Sequence, residues 1–111
     1  MEIRPARPAD AATVSALVHD AYVHYVARMG MRPAPMDDDY AARIDAGSVW
    51  VAEADGALIG VLVLTVEPDH LLLNNIAVSP AVRGTGVGAR LLAFAAEQGF
   101  HRVFFAKTLA E

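Results

Sequence analysis

The 111 residues are 55% hydrophobic and 20% charged, a balance that bounds the chain to one small globular domain and argues against disorder. A formal net charge of -4 gives no general attraction to nucleic acid or to an anionic membrane, so any anion site must be local. Cysteine is absent, which removes disulfides, thiolate metal ligands and a cysteine nucleophile; with a charged, proline-bearing start and no apolar run of about 18 residues, the expected location is cytoplasmic.

Glu2 to Arg4 reads as a short first strand, closed by Pro5 and Pro8, with Asp10 placed to cap the helix that follows. Val14, Leu17, Val18, Ala21, Tyr22, Tyr25, Val26 and Met29 recur at steps of three and four, so one helical face must pack, and Gly30 ends it. In "MRPAPMDDDYAARIDAG" two prolines mark a loop, Asp37 an N-cap with Asp38 and Asp39 in the first turn, and Gly47 the stop of a short second helix. "SVWVAE" and "ALIGVLVLTV" flank Asp55-Gly56, a hairpin pattern, and the second run is apolar enough to be covered on both faces. Glu67-Pro68-Asp69 turns the chain into "HLLLNNIAV", His70 to Val78, which Ser79-Pro80 breaks. "VRGTGVGARLL" then sets three glycines at alternate positions at the mouth of an amphipathic helix that starts near Val87 and stops at Gly99, and "HRVFFAK" forms the last strand. The order β-α-α-β-β-β-α-β predicts a mixed α/β (α+β) fold, with residues 1–111 forming a single domain and no internal repeat.

So much bare backbone at a helix start suits a phosphorylated ligand, because glycine lets peptide N–H groups approach and the helix end is electropositive. A dinucleotide fold would need G-x-G-x-x-G after the first strand; the spacing here is G-x-G-x-G after the fourth. A P-loop would need Gly-Lys-Ser/Thr, whereas Gly88 is followed by Ala89 and Arg90.

Val78-x-Pro80 followed by Arg83-Gly84-Thr85-Gly86-Val87-Gly88, between a strand and an amphipathic helix, resembles the acetyl-coenzyme A site of the GNAT acyltransferase superfamily, whose signature is Gln/Arg-x-x-Gly-x-Gly/Ala. The resemblance covers most of the chain. It implies a GNAT-like acyl-CoA N-acyltransferase fold, with a mostly antiparallel central sheet and helices on both faces. It also implies acetyl-CoA as co-substrate, its pyrophosphate held by peptide N–H groups from Arg83 through Gly84, Thr85, Gly86, Val87 and Gly88 to Ala89, and by the Arg83 guanidinium. The fourth and fifth strands would splay, leaving Asn75 to Val78 to pair with the pantetheine arm, and the peptide N–H groups of Ile76, Ala77 and Val78 to stabilise the oxyanion as a primary amine attacks the thioester.

Members of the family often take their base from a fourth-strand carboxylate and their acid from a fourth-helix tyrosine, and this chain departs on both. Period two puts His70, Leu72, Asn74 and Ile76 on one face, so His70 is the candidate base, or else a rim histidine closing the turn, and Asn74 an orienting group. Glu67 is a second candidate base. Tyr22, Tyr25 and Tyr40 suit helix packing. Asp37, Asp38 and Asp39 suit either a cationic acceptor or a helix start. His19 and His24 lie on different helical faces, so no metal is expected. A complete GNAT domain continues with a fourth helix and a β6-β7 hairpin, and this sequence stops at Glu111; the expectation is a fold lacking α4-β6-β7, with the edge of the fifth strand covered in a homodimer. The acceptor is a small-molecule or peptide amine. The alternatives are a domain that binds acetyl-CoA or CoA without catalysis, and a structural module whose glycines only allow a tight turn.

Overall fold

Alternation along the strands sorts the apolar side chains into two cores, one on each face of a single sheet. In the computed structural model, which describes residues 1–29, 38–68, 71–98 and 103–105, the elements run β1 (Glu2–Pro5), α1 (Ala11–Met29), α2 (Tyr40–Asp45), β2 (Val49–Ala54), β3 (Ala57–Val66), β4 (Leu71–Val78), α3 (Val87–Glu97) and β5 (Val103–Phe105). This is the order read from the sequence. The sheet order is β1-β2-β3-β4-β5, antiparallel through β4 and parallel between β4 and β5.

Val61 and Val63 of β3 face α1 and α2, packing with Val14, Val18, Tyr22, Tyr40 and Ile44. Leu62 and Leu64, one residue out of phase, face α3 and pack with Ile76, Val78, Val87, Leu91 and Ala95. A strand covered on both faces must be apolar at every position, which is why this run reads as a near-continuous hydrophobic block. Trp50 of β2 and Phe94 of α3 extend the second core, their rings 6.3 Å apart and tilted by 55°.

Gly60 sets how closely α3 can lie on the sheet. A Cβ built there would stand 2.8 Å from Leu91 Cδ1 and 3.2 Å from Val87 Cγ1. The helix occupies the space that a side chain would need.

Local polar chemistry corrects two end assignments. Asp10 closes a 3-10 turn, Pro8–Asp10, rather than capping α1: it accepts from the Arg7 N–H at 2.7 Å and pairs with Arg4 at 2.9 Å. Asp39, not Asp37, caps α2, accepting from the Ala42 N–H at 3.1 Å. Asp38 is paired with Arg43 at 2.5 Å. The helix-start reading of Asp38 and Asp39 is therefore the one their partners support. Asp37, Gly30 and Gly99, and the side chains of Tyr25, Val26 and Met29, lie outside the described residues, as do the flanks of β5 at 101–102 and 106–107.

Two outcomes follow from these contacts. Gly60→Ala forces Leu91 and Val87 out of their rotamers and lowers unfolding free energy by about 1–3 kcal/mol in urea titration, with partial recovery when Leu91→Val is added. The hydrogen bond from Arg4 holds the Asp10 carboxyl below the usual carboxylate range. That stability is present above the unfolded-state pKa and lost as pH falls through the folded value, so Asp10→Asn costs about 0.5–1 kcal/mol at neutral pH and flattens the acid limb of the stability curve.

Candidate functional site

The site begins as two sets of backbone groups that the fold leaves open. On β4, the direction of each peptide follows from one bond: Ser79 N–H donates to Ile59 C=O at 2.9 Å. The antiparallel register pairs Val61 with Ala77 and Val63 with Asn75, while Gly60 lies opposite Val78 and Leu62 opposite Ile76. Because bonded and non-bonded pairs alternate, Ala77 and Asn75 turn their peptides to β3, and Ile76 and Val78 turn theirs away. On that outer side β5 pairs only with Leu71–Leu73 among the described residues. The N–H and C=O groups of Ile76 and Val78 thus face a gap in the strand pairing of the described residues.

The second set lies at the start of α3. After a 3-10 turn, Pro80–Val82, the chain folds on itself: Arg83 N–H donates to Pro80 C=O, and both the N–H and hydroxyl of Thr85 donate to Val82 C=O. Gly84 and Gly86 adopt φ of +85° and +91°, a left-handed backbone that other residues enter at a cost. Gly86 is the N-cap and carries no side-chain cap, in contrast to Asp39 on α2. The first bond of the helix ladder is Arg90 N–H to Gly86 C=O. The N–H groups of Gly86, Val87, Gly88 and Ala89 therefore have no protein acceptor among the described residues.

Between these two sets lies a cavity of about 300 Å³ lined by Val78, Arg83, Gly84, Gly86, Val87 and Gly88. Open amides, an electropositive helix end and glycines that add no bulk suit a diphosphate. The Arg83 guanidinium is partly committed elsewhere, since Nη2 donates to the Ala21 carbonyl of α1 at 3.2 Å. Its Nε is buried without a hydrogen-bond partner among the described residues.

Against the sequence expectations, the amides of Gly84, Gly86, Val87, Gly88 and Ala89 are available, and those of Arg83 and Thr85 are engaged within the loop. Asn75 and Ala77, grouped there with Ile76 and Val78, do not reach the edge: their peptides face β3, and the Ala77 methyl is in the α1 core. Asn74 and Ile76 do not share a face. The β3–β4 register slips between Val63 opposite Asn75 and Leu64 opposite Leu73, so Asn74 is an extra residue. Ile76 packs in the α3 core, whereas Asn74 Oδ1 accepts from the Thr65 hydroxyl at 2.7 Å. His70 lies outside the described residues. Glu67 follows the end of β3 and is half-buried. Among the described residues no group of three or more His, Cys, Asp or Glu side chains is placed to hold a metal ion, and no helix is long and apolar enough to cross a membrane.

The sequence reading passed over the side chain of Asn75. It is the one buried polar residue besides the tyrosines among the described residues, and it accepts from Tyr22 Oη at 2.7 Å and donates to Tyr40 Oη at 3.0 Å. Burial, and then the negative charge of Asp38, push the Tyr40 phenol above its usual pKa. The only signal in the sequence was an Asn-Asn pair inside an otherwise apolar strand.

The family model described as the acetyltransferase (GNAT) family matches residues 14–111. The chain belongs to the GNAT family. Among solved GNAT-like structures it is similar to the GphF GNAT-like decarboxylase in complex with isobutyryl-CoA, at TM-score 0.72 and 22% identity, covering 93% of this chain and 64% of that one. It is similar to N-acetylglutamate synthase from Neisseria gonorrhoeae, complexed with coenzyme A and N-acetyl-glutamate, at TM-score 0.70 and 27% identity, covering 96% of this chain and 25% of that one. An acetyltransferase from Vibrio fischeri aligns at TM-score 0.71 and 18% identity, over 95% of this chain and 94% of its own. The chain thus spans less than two thirds of the first two. No curated protein matches it by sequence.

For Gly86, a built Cβ meets nothing within 4 Å. Gly86→Ala therefore tests the backbone alone and is expected to cost about 1–2 kcal/mol in denaturant unfolding, from left-handed strain without any clash.

Proposed function

We propose that this chain binds acetyl-coenzyme A and directs its acetyl group to a primary amine. The observation that carries the reading is the uncapped start of α3 beside a β4 edge that has no strand partner at Ile76 and Val78 among the described residues, within reach of one cavity. Coenzyme A complexes among the similar structures, such as the N-acetylglutamate synthase, support it.

The open amides of Gly86, Val87, Gly88 and Ala89 hold the diphosphate, with Gly84 contributing from the loop. Ile76 and Val78 pair with the amides of the pantetheine arm as an added strand would, which satisfies peptide groups that are otherwise costly to leave bare inside a domain. When bound, the thioester supplies an activated acetyl group. The Ile76 N–H, turned to the gap, holds the acetyl oxygen as negative charge develops on it. Direct attack by an uncharged amine on the thioester carbon needs no protein nucleophile: the C–N bond forms as the C–S bond breaks, coenzyme A leaves as the thiolate, and the proton shed by the amine goes through solvent to that thiolate.

A second reading, coenzyme binding without turnover, draws on the composition of β4, whose described residues Leu71–Val78 contain no titratable side chain. Thiol release over a panel of amines, set beside calorimetry with coenzyme A, separates the two: binding with release supports transfer, and binding without release supports the second.

Ala89→Glu is the sharper test of the cradle. Ala89 is exposed at the third position of α3, where an acidic side chain favours the helix by a few tenths of a kcal/mol, about 0.3–1 at most, yet repels a diphosphate. The expected result is unchanged or slightly raised thermal stability with coenzyme A affinity reduced about tenfold or more by calorimetry. Equal affinity in the variant would reject the cradle.

A further inference from the structure

The bulge on β4 decides which peptides face the gap. On the Leu71–Leu73 half, Leu71 and Leu73 are opposite Val66 and Leu64, and Leu64 turns its own peptide to β2, donating to Ser48 C=O at 2.9 Å. Leu71 and Leu73 therefore face outward, and a strand without a bulge would continue with Asn75 and Ala77 outward. The extra residue at Asn74 shifts the parity, so that Ile76 and Val78 face outward instead. The same shift sends the Asn75 side chain to the α1 and α2 side, where it is 2% exposed.

There it meets two hydroxyls from two different helices. Tyr22 of α1 donates to Oδ1, and Nδ2 donates to Tyr40 of α2. Both tyrosines belong to the fully packed α1–α2 core, at 0% and 2% exposure. A buried carboxamide satisfied at both ends resists displacement, because any slip of the strand would strand polar atoms in an apolar core at a cost of about 1–3 kcal/mol each. We infer that Asn75, clamped between Tyr22 and Tyr40, is a positioning residue: it locks the β4 bulge in register and thereby fixes the Ile76 N–H in the direction from which it can hold the acetyl oxygen. It touches neither coenzyme nor acetyl group. α1 and α2 thus govern the direction of a peptide on the far side of their own core. The link to the acetyl group rests on the coenzyme reading above; the lock on the bulge does not.

The test uses the full chain labelled with nitrogen-15, wild type against Tyr40→Phe, Tyr22→Phe and Asn75→Ser. Without ligand, hydrogen exchange at the Asn75 and Ala77 amides is expected to speed up about tenfold in the variants, while Leu91 and Ala95 of α3 keep their rates. Uniform acceleration across the sheet and α3, or no change, overturns the lock. The single tyrosine variants, each losing one hydroxyl, keep this measurable if Asn75→Ser fails to fold. With S-acetonyl-coenzyme A, a ketone that cannot transfer its acyl group, the wild-type Ile76 amide proton is expected to shift downfield, and the variants are expected to lose that shift while Gly86–Ala89 respond as before. An unchanged Ile76 response in the variants overturns the positioning role. If wild-type Gly86–Ala89 do not respond to the ketone, the coenzyme reading fails and the inference about Ile76 falls with it, while the exchange rates still judge the lock.

Discussion

Backbone hydrogen-bonding capacity left over at two neighbouring chain ends is the constraint around which this domain is arranged. Strand β4 leaves the peptides of Ile76 and Val78 without a described neighbour on one side, and α3 begins with amides that no side chain caps. Such groups are costly inside a packed domain, and the rest of the chain makes the arrangement tolerable. Two apolar cores hold the sheet from both faces. The loop between strand and helix satisfies its own inner amides through Val82 and Pro80, and only the outer ones remain open. This division separates groups that shape the loop from groups free to bind.

Arg83 shows the same economy in a side chain. The sequence suggests a guanidinium aimed at phosphate, and the structure has it reaching back to the Ala21 carbonyl, inside the third-from-last turn of α1. The loop is thereby tied to the first helix. In the coenzyme reading proposed above, binding is left mainly to main-chain groups, whose positions are set by the fold and do not depend on rotamers.

Much of this was legible in the residues. Strand β3 was found to the residue because its apolar run is bounded by Asp55-Gly56 and Glu67-Pro68, and α3 because glycines and a three-and-four periodicity meet at Val87. What was not legible came from pairing rather than composition. A bulge depends on how β4 lies against β3, and nothing local in "LLLNNIAV" distinguishes it from a regular strand; period two therefore placed Asn74 with Ile76, and the family resemblance alone could not say which peptides between Asn75 and Val78 face the edge. The Asn75 clamp needs partners 53 and 35 residues away in sequence. The cap of α2 was displaced by two residues, since three consecutive aspartates are equivalent as letters, whereas in the structure Asp39 has an extended backbone from which its carboxylate reaches Ala42.

Gly60 brings the two open ends into a common frame. It lies opposite Val78 in the β3–β4 register, and Leu91 and Val87 rest directly upon it. One residue without a side chain is thus the origin from which both the strand gap and the helix mouth are measured. The span between them works as a molecular ruler with a fixed zero. A bulkier residue at that origin would lengthen the ruler while leaving both of its ends chemically intact.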